Sequence, residues 1–124
     1  DLTHLPDELG FCRRLRVLHV QRNRLQTLPT TFASLHRLEE MDVSHNELTW
    51  VPEQLLNVDE SLADALAQGK VSLEAIEGET RGCLSLRSLD LSHNCLTALP
   101  LSLCKCKTLA CFYVHDNPFL LLPE

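Results

Sequence analysis

The sequence of 124 residues contains only four glycines, and none of them belongs to a glycine-rich loop of the kind that binds phosphate groups. It contains no run of about 18 apolar residues, and no basic segment followed by an apolar one at its start, so it predicts neither a membrane-spanning helix nor a signal peptide. Basic residues number 11 against 17 acidic ones, and the net charge of −6 gives no electrostatic reason to bind nucleic acid or an anionic membrane. We therefore expect protein partners, with no nucleic acid and no membrane insertion.

The sequence also lacks the cysteine spacings of a secreted disulfide framework and any CxxC metal-binding motif, although it has six cysteines. This placement predicts reduced thiols and a cytoplasmic location. A chain of this length with 44% hydrophobic residues can bury a core and is expected to form about one domain. The cysteines are Cys12, Cys83, Cys95, Cys104, Cys106 and Cys111.

An internal repeat organises most of the chain. Four segments align without gaps: "LRVLHVQRNRLQTLP", "LEEMDVSHNELTWVP", "LRSLDLSHNCLTALP" and "LACFYVHDNPFLLLP". They begin at Leu15, Leu38, Leu86 and Leu109, so the first two and the last two lie 23 residues apart, whereas the middle interval is 48 residues. Self-similarity at such a period is typical of stacked repeat proteins.

Each unit has the pattern of a short strand, a turn and a helical return. Leu18 and Val20 alternate with the polar His19, which predicts a strand that buries one face. An asparagine follows at the turn, where its side chain can bond to backbone groups that the strand leaves free. The segment "PTTFASLHRL" places apolar residues at intervals of three, which predicts a short helix or 3₁₀ turn packed inward. The predicted structural asparagines are Asn23, Asn46, Asn94 and Asn117.

The shared pattern L-x-x-L-x-L-x-x-N-x-L-x-x-L-P resembles the leucine-rich repeat family, and its 23-residue length resembles the intracellular subclass found in signalling scaffolds. The resemblance implies an α/β solenoid with a concave parallel sheet and short helices or 3₁₀ turns on the convex side. Because both ends fall within a unit, we expect a segment of a longer protein. The predicted units are a partial repeat 1–14, repeats 15–37, 38–60 and 86–108, and a partial repeat 109–124.

The long middle interval contains an acidic insertion at about 57–83, with six acidic residues against Lys70 and Arg81. Two interpretations remain open. Either a degenerate repeat has lost its strand and asparagine, or a helical loop bulges out and the flanking repeats stack directly. No offset places apolar residues and an asparagine correctly, which favours the loop.

Strand residues that point away from the core would form the concave face. This face is polar and mixed in sign, and it suits recognition of a protein by complementary charge with a few aromatic anchors. The candidate partner-binding residues on it are Arg16, His19, Arg22, Glu40, Asp42, His45, Asp90, His93, Tyr113 and His115.

Trp50 stands at a variable position of its repeat and is predicted to lie outside the repeat core. It either covers the insertion or acts as an exposed partner anchor. Cys12, Cys83 and Cys106 share the phase of a buried leucine and are predicted to be buried, whereas the other three cysteines fall at variable positions.

The run Ser92–Cys95 has the residue types of a nucleophilic site, but repeat phase gives each residue a separate place, and we expect no enzyme and no cofactor. The resemblance implies a protein-interaction module that binds its partner mainly through the concave face. One alternative is a structural spacer between domains. Another is a metal site using His45 and His93, with Asp116 next along, which requires the insertion to loop out so that the two histidines are neighbours.

Overall fold

Four parallel strands stack in chain order in the computed structural model, which describes residues 2–56, 60–76, 82–99 and 108–118. Each strand comes from one of the four aligned segments and is three residues long. The predicted α/β solenoid, with a parallel sheet on one side and short helical returns on the other, is confirmed. The strands are β1 (Val17–His19), β2 (Glu40–Asp42), β3 (Ser88–Asp90) and β4 (Cys111–Tyr113).

The strand register places equivalent positions of successive repeats side by side. Val17 pairs with Glu40, Glu40 with Ser88, and Ser88 with Cys111. Because side chains alternate along a strand, the central residue of each strand points into the core and its two neighbours point outward. Met41 at the centre of β2 is accordingly buried. Outward positions therefore form columns that run across the sheet.

Proline introduces the 3₁₀ returns at Asp7–Phe11 and Thr30–Ser34. Pro6 and Pro29 hold extended backbone with φ of −69° and −61°, close to the value that the pyrrolidine ring imposes. Phe32, in the second return, is fully buried in the leucine core, and its replacement by alanine is expected to cost about 3–5 kcal/mol. The returns thus close the core opposite the strands.

Asparagine side chains tie each turn to the next repeat. Asn46 donates from Nδ2 to the carbonyl oxygens of Val43 at 2.9 Å and Val20 at 3.2 Å, while its Oδ1 accepts from the N–H of Leu25 at 3.0 Å. Asn94 repeats this pattern, with Oδ1 accepting from the N–H of a leucine in the preceding repeat. Asn23 and Asn117 make the equivalent bonds at the first and last turns. These bonds satisfy backbone groups that the short strands leave without sheet partners.

The acidic insertion packs on the core without entering the sheet, because β2 pairs directly with β3. The described part of the chain between them forms α1 (Glu53–Leu56), α2 (Glu60–Ala67) and a 3₁₀ turn, Leu73–Ile76, and adds no strand. Buried Ile76 and the partly buried Leu62 and Leu66 join the insertion to the repeat core. The flanking repeats therefore stack on each other, and their turns are brought side by side.

A glycine ends α2. Gly69 has a φ of +73°, a conformation that glycine adopts at little cost. The N–H of Lys70 then reaches back to the carbonyl oxygen of Ala65 at 2.9 Å, and that of Gly69 bonds to Leu66 at 3.2 Å. This is the Schellman pattern of helix termination, and it turns the insertion back toward the repeats.

Position in the repeat predicted burial for both Cys83 and Cys12, and only Cys83 is buried. Cys83 is fully buried and its thiol donates to the carbonyl oxygen of Phe32 at 3.3 Å. The prediction for Cys12 is wrong, because its side chain is exposed. It lies in the first unit of the stack, where no preceding repeat among the described residues covers it, whereas Leu35 at the same phase is covered on both sides and buried. Cys95 and Cys111 are exposed, and Cys104 and Cys106 lie outside the described residues.

Candidate functional site

Charges on the first two strands of the concave face pair with each other. Arg16 Nε lies 3.1 Å from Glu39 Oε2, and His19 Nε2 contacts Glu40 Oε2 across the β1–β2 pair. All four side chains are at least 38% exposed, so each pair contributes little to the free energy of folding. On this mixed-sign face, the opposite charges of Arg16 and Glu39 therefore offset each other locally.

Two further candidate carboxylates stabilise the turns that follow their strands. Asp42 Oδ1 accepts from the N–H of Ser44 at 3.0 Å and from its hydroxyl at 2.7 Å. Asp90 makes the same two bonds to Ser92, at 3.0 and 2.6 Å. Both serines are buried, so these aspartates hold the turns in addition to facing outward. Charge reversal at either aspartate would remove bonds of the fold as well as surface charge.

A column of left-handed residues follows the strands. Arg22, His45, His93 and Asp116 immediately precede the four asparagines, and their φ values are +61°, +55°, +55° and +58°. Positive φ is uncommon for residues other than glycine, although Asp, Asn and His adopt it more readily than most. The reversal directs each asparagine side chain inward and leaves the preceding side chain on the surface. The column is therefore fixed in place by the turn itself.

Two histidine rings and one carboxylate of this column meet a third histidine, His115, which precedes Asp116. The rings of His45 and His93 are stacked, with centroids 4.1 Å apart and planes inclined by 11°. His115 meets His93 edge-to-face at 5.1 Å, and His93 Nε2 lies 3.3 Å from Asp116 Oδ2. One ligand atom from each of His93, His115 and Asp116 lies within 4.8 Å of the other two.

The electrostatics of this cluster favour a neutral His45. Partial burial lowers the pKa of His45 below its ordinary value of 6.5, and the neighbouring His93 and Arg22 lower it further. Asp90 and Asp42 oppose this shift without cancelling it. His45 therefore presents an uncharged ring to the face of His93.

Exposed apolar side chains stand at both ends of the concave face. Val17 on β1 is 52% exposed and Tyr113 on β4 is 47% exposed. Trp50 is 47% exposed and lies away from the strands, in agreement with its predicted exclusion from the repeat core. Val17 and Asp116 were absent from the predicted partner-binding residues, and Asp116 appeared only in the alternative of a metal site. Both could have been predicted from the sequence, because Val17 occupies an outward strand position of the repeat and Asp116 the position before the asparagine.

Comparison with known proteins shows the class to which this fold belongs. Two models of the family described as leucine rich repeat match residues 1–57 and 85–106. The chain belongs to the leucine-rich repeat family and is a repeat module of the kind that binds proteins.

Three of the relatives that align with the chain are differently named proteins. The chain is 40% identical to human podocan-like protein 1, over 65% of its own length and 16% of that protein's. It is 31% identical to lumican of Coturnix japonica, over 90% of its length and 32% of lumican's. It is 27% identical to the probable inactive serine/threonine-protein kinase roco10 of Dictyostelium discoideum, over 94% of its length and 4% of the kinase's.

Among solved structures, a leucine-rich repeat protein of Leptospira interrogans is similar to the chain with a TM-score of 0.73 and 27% identity. The similarity covers 99% of this chain and 25% of that one. The chain thus spans less than a third of each of these relatives. Within the residues that the structure describes, no helix has the length and apolar character to cross a membrane.

Proposed function

We propose that the chain binds a protein partner through its concave face, as the recognition or scaffold segment of a cytoplasmic signalling or adaptor protein. The observation that carries this proposal is the exposure of Tyr113. This residue lies on strand β4 and is 47% exposed. Large aromatic side chains on a rigid surface are the usual anchors of protein interfaces. Tyr113 also lies in register with Asp90, so an apolar contact and a carboxylate are adjacent.

The charge pattern supports a partner with basic side chains. Arg16 is engaged with Glu39, which reduces the positive charge that this face offers. Asp42 and Asp90 use only Oδ1 in the described hydrogen bonds. A lysine or arginine of the partner would therefore meet uncompensated acidic charge near the centre of the sheet.

The proposed cytoplasmic location rests on the thiols. Within the residues that the structure describes, the thiols of Cys12, Cys95 and Cys111 are exposed and form no disulfide. Exposed unpaired thiols are typical of reducing compartments.

A photo-crosslinking residue at position 113 tests the proposed surface. The crosslinker replaces Tyr113 in one variant and Phe11 in a matched control, because Phe11 is 65% exposed but belongs to a helical return rather than to a strand. Each variant is irradiated in cell extract, and the captured protein is identified and then purified for binding measurements. We expect capture from position 113 and not from position 11.

The purified partner then allows a quantitative comparison. Loss of an interface anchor costs about 2 kcal/mol or more, so Tyr113→Ala should weaken binding by about 30-fold, whereas Phe11→Ala should leave the Kd unchanged. Equal affinities of the Tyr113→Ala variant and the unmodified chain would refute binding through this part of the concave face. Capture from neither position would instead support a structural spacer.

A further inference from the structure

The turns after β3 and β4 carry two imidazoles and a carboxylate on hydrogen-bonded backbone. The N–H of His93 donates to the carbonyl oxygen of His115 at 3.0 Å, so the two turns are joined by backbone at the residues that carry these side chains. Asn94 and Asn117, which follow His93 and Asp116, anchor both turns to the core. A set of ligands held by backbone bonds needs little reorganisation to bind an ion.

The spacing of the ligand atoms matches a metal ion with short bonds. Bonds of about 2.0–2.1 Å in a tetrahedral zinc site place neighbouring ligand atoms about 3.3 Å apart. His93 Nε2 and Asp116 Oδ2 are 3.3 Å apart, and all three ligand atoms lie within 4.8 Å of one another. Binding would require the exposed His115 side chain to bring its nitrogen from within 4.8 Å of these atoms to about the same separation.

We infer that His93, His115 and Asp116 form a binding site for a zinc-class transition-metal ion. Imidazole nitrogen and carboxylate oxygen are ligands that Zn²⁺ accepts, and two histidines with one carboxylate leave a coordination position open to water or to a partner's side chain. His93 is partly exposed and Asp116 is 62% exposed, so the ion can enter from solvent. The carboxylate offsets one of the two positive charges of the ion.

His45 is not a ligand in this arrangement. Its ring lies flat against His93 at 4.1 Å, and the converging ligand atoms come from the other three residues. This assignment differs from the sequence-based alternative, in which His45 and His93 are the ligands. It does not rest on the proposed partner binding, because the ion contacts only residues of this chain.

A zinc titration with matched variants tests the site. The chain is first treated with iodoacetamide so that exposed thiols such as Cys95 and Cys111 do not compete, and ZnCl₂ binding is then followed by isothermal titration calorimetry. We expect one equivalent of Zn²⁺ to bind saturably. Visible absorption of Co²⁺ in place of Zn²⁺ reports whether the ligands are tetrahedral.

The pair His93→Asn and His45→Asn provides the decisive control. Both positions have a φ of +55°, which asparagine tolerates, so the same replacement is made in the same backbone conformation. Loss of a second-shell group typically weakens metal binding by 10- to 100-fold, so removal of the ligand in His93→Asn should weaken it by about 100-fold or more. His45→Asn should weaken binding by less than about tenfold, because His45 contacts the ligand His93 by ring stacking and not by the hydrogen bond through which second-shell groups act.

His115→Ala and Asp116→Asn should lose binding as His93→Asn does, with unchanged far-UV circular dichroism. The inference is overturned if Zn²⁺ gives no saturable binding, or if the His115 and Asp116 variants bind as tightly as the unmodified chain. It is also overturned if His45→Asn loses as much affinity as His93→Asn, since the ion would then be held by the stacked pair.

Discussion

Replacement of Asn94 by alanine should be among the most destabilising polar changes in the chain. Asn94 is 7% exposed, and its Nδ2 donates to the carbonyl oxygens of Val43, Leu91 and Ser92 at 3.0, 3.0 and 3.1 Å. Its Oδ1 accepts from the N–H of Leu48 at 3.0 Å. Alanine would leave the buried N–H of Leu48 without its partner. Each carbonyl would lose one bond but keep a second donor, which is Asn46 for Val43, Asn117 for Leu91 and the N–H of His45 for Ser92.

The magnitude follows from these lost bonds. The buried donor left unsatisfied costs about 1–3 kcal/mol and each of the two further hydrogen bonds lost costs about 0.5–1.5 kcal/mol, so Asn94→Ala should lower the free energy of unfolding by about 3 kcal/mol. In urea, with a slope of about 1–3 kcal/mol per molar, the midpoint should fall by about 1–3 M at an unchanged slope. Far-UV circular dichroism during urea titration measures both quantities.

Asn23→Ala is the matched control, because Asn23 makes the same kind of bonds at the outermost turn. It donates to Val20 and Gln21 at 2.9 and 3.3 Å and accepts from the exposed N–H of Leu2 at 2.9 Å. Water can replace these bonds at a half-buried position, so the loss should be about 1 kcal/mol. If the two variants lost equal stability, burial of the asparagine column would not be what makes it stabilising.

Two smaller predictions concern a close contact and an ion pair. Gly10→Ala should lower the free energy of unfolding by about 1–3 kcal/mol, because its Cβ would lie 2.5 Å from the backbone oxygen of Thr31; a urea midpoint equal to that of the unmodified chain would contradict this. The hydrogen bond from Arg37 lowers the pKa of Glu74 below its ordinary value of 4.5, so the pair's stabilisation is present above pH 4.5 and is lost as pH falls through the lower pKa. NMR titration of Glu74 should show its midpoint rising toward 4.5 in Arg37→Gln, and an unmoved midpoint would exclude this cause.

The repeat made the columns of the sheet predictable, because equal spacing fixes which residues lie side by side. It did not fix which neighbouring side chains on the face bond to each other. The contacts of Glu40 with His19, and of Asp42 with Ser44, depend on side-chain rotamers that the repeat pattern does not encode. The exposure of Cys12 was missed for a different reason, since burial at that phase needs a covering repeat on each side.

The repeat pattern alone could not show whether the histidines meet. His45 and His93 lie in one column, but the interval between their repeats could have held another strand. With an intervening strand they would be about 10 Å apart, which excludes ring stacking. The direct pairing of β2 with β3 decides the matter, and it arises because the insertion buries its own apolar residues on the core instead of extending the sheet.

The left-handed turn explains why ligand-type side chains gather in this column. A positive φ disfavours most residue types but is tolerated by asparagine, aspartate and histidine, and two of these are common metal ligands. Stacking of repeats then brings successive residues of the column within reach of one another, as His93 and Asp116 are. Asparagine separates these two properties, because it tolerates a positive φ but is not among the usual ligands of zinc. His93→Asn should therefore fold as the unmodified chain does and fail to bind zinc, whereas a β-branched residue such as valine at position 93 should cost stability of about 1–2 kcal/mol through the backbone alone.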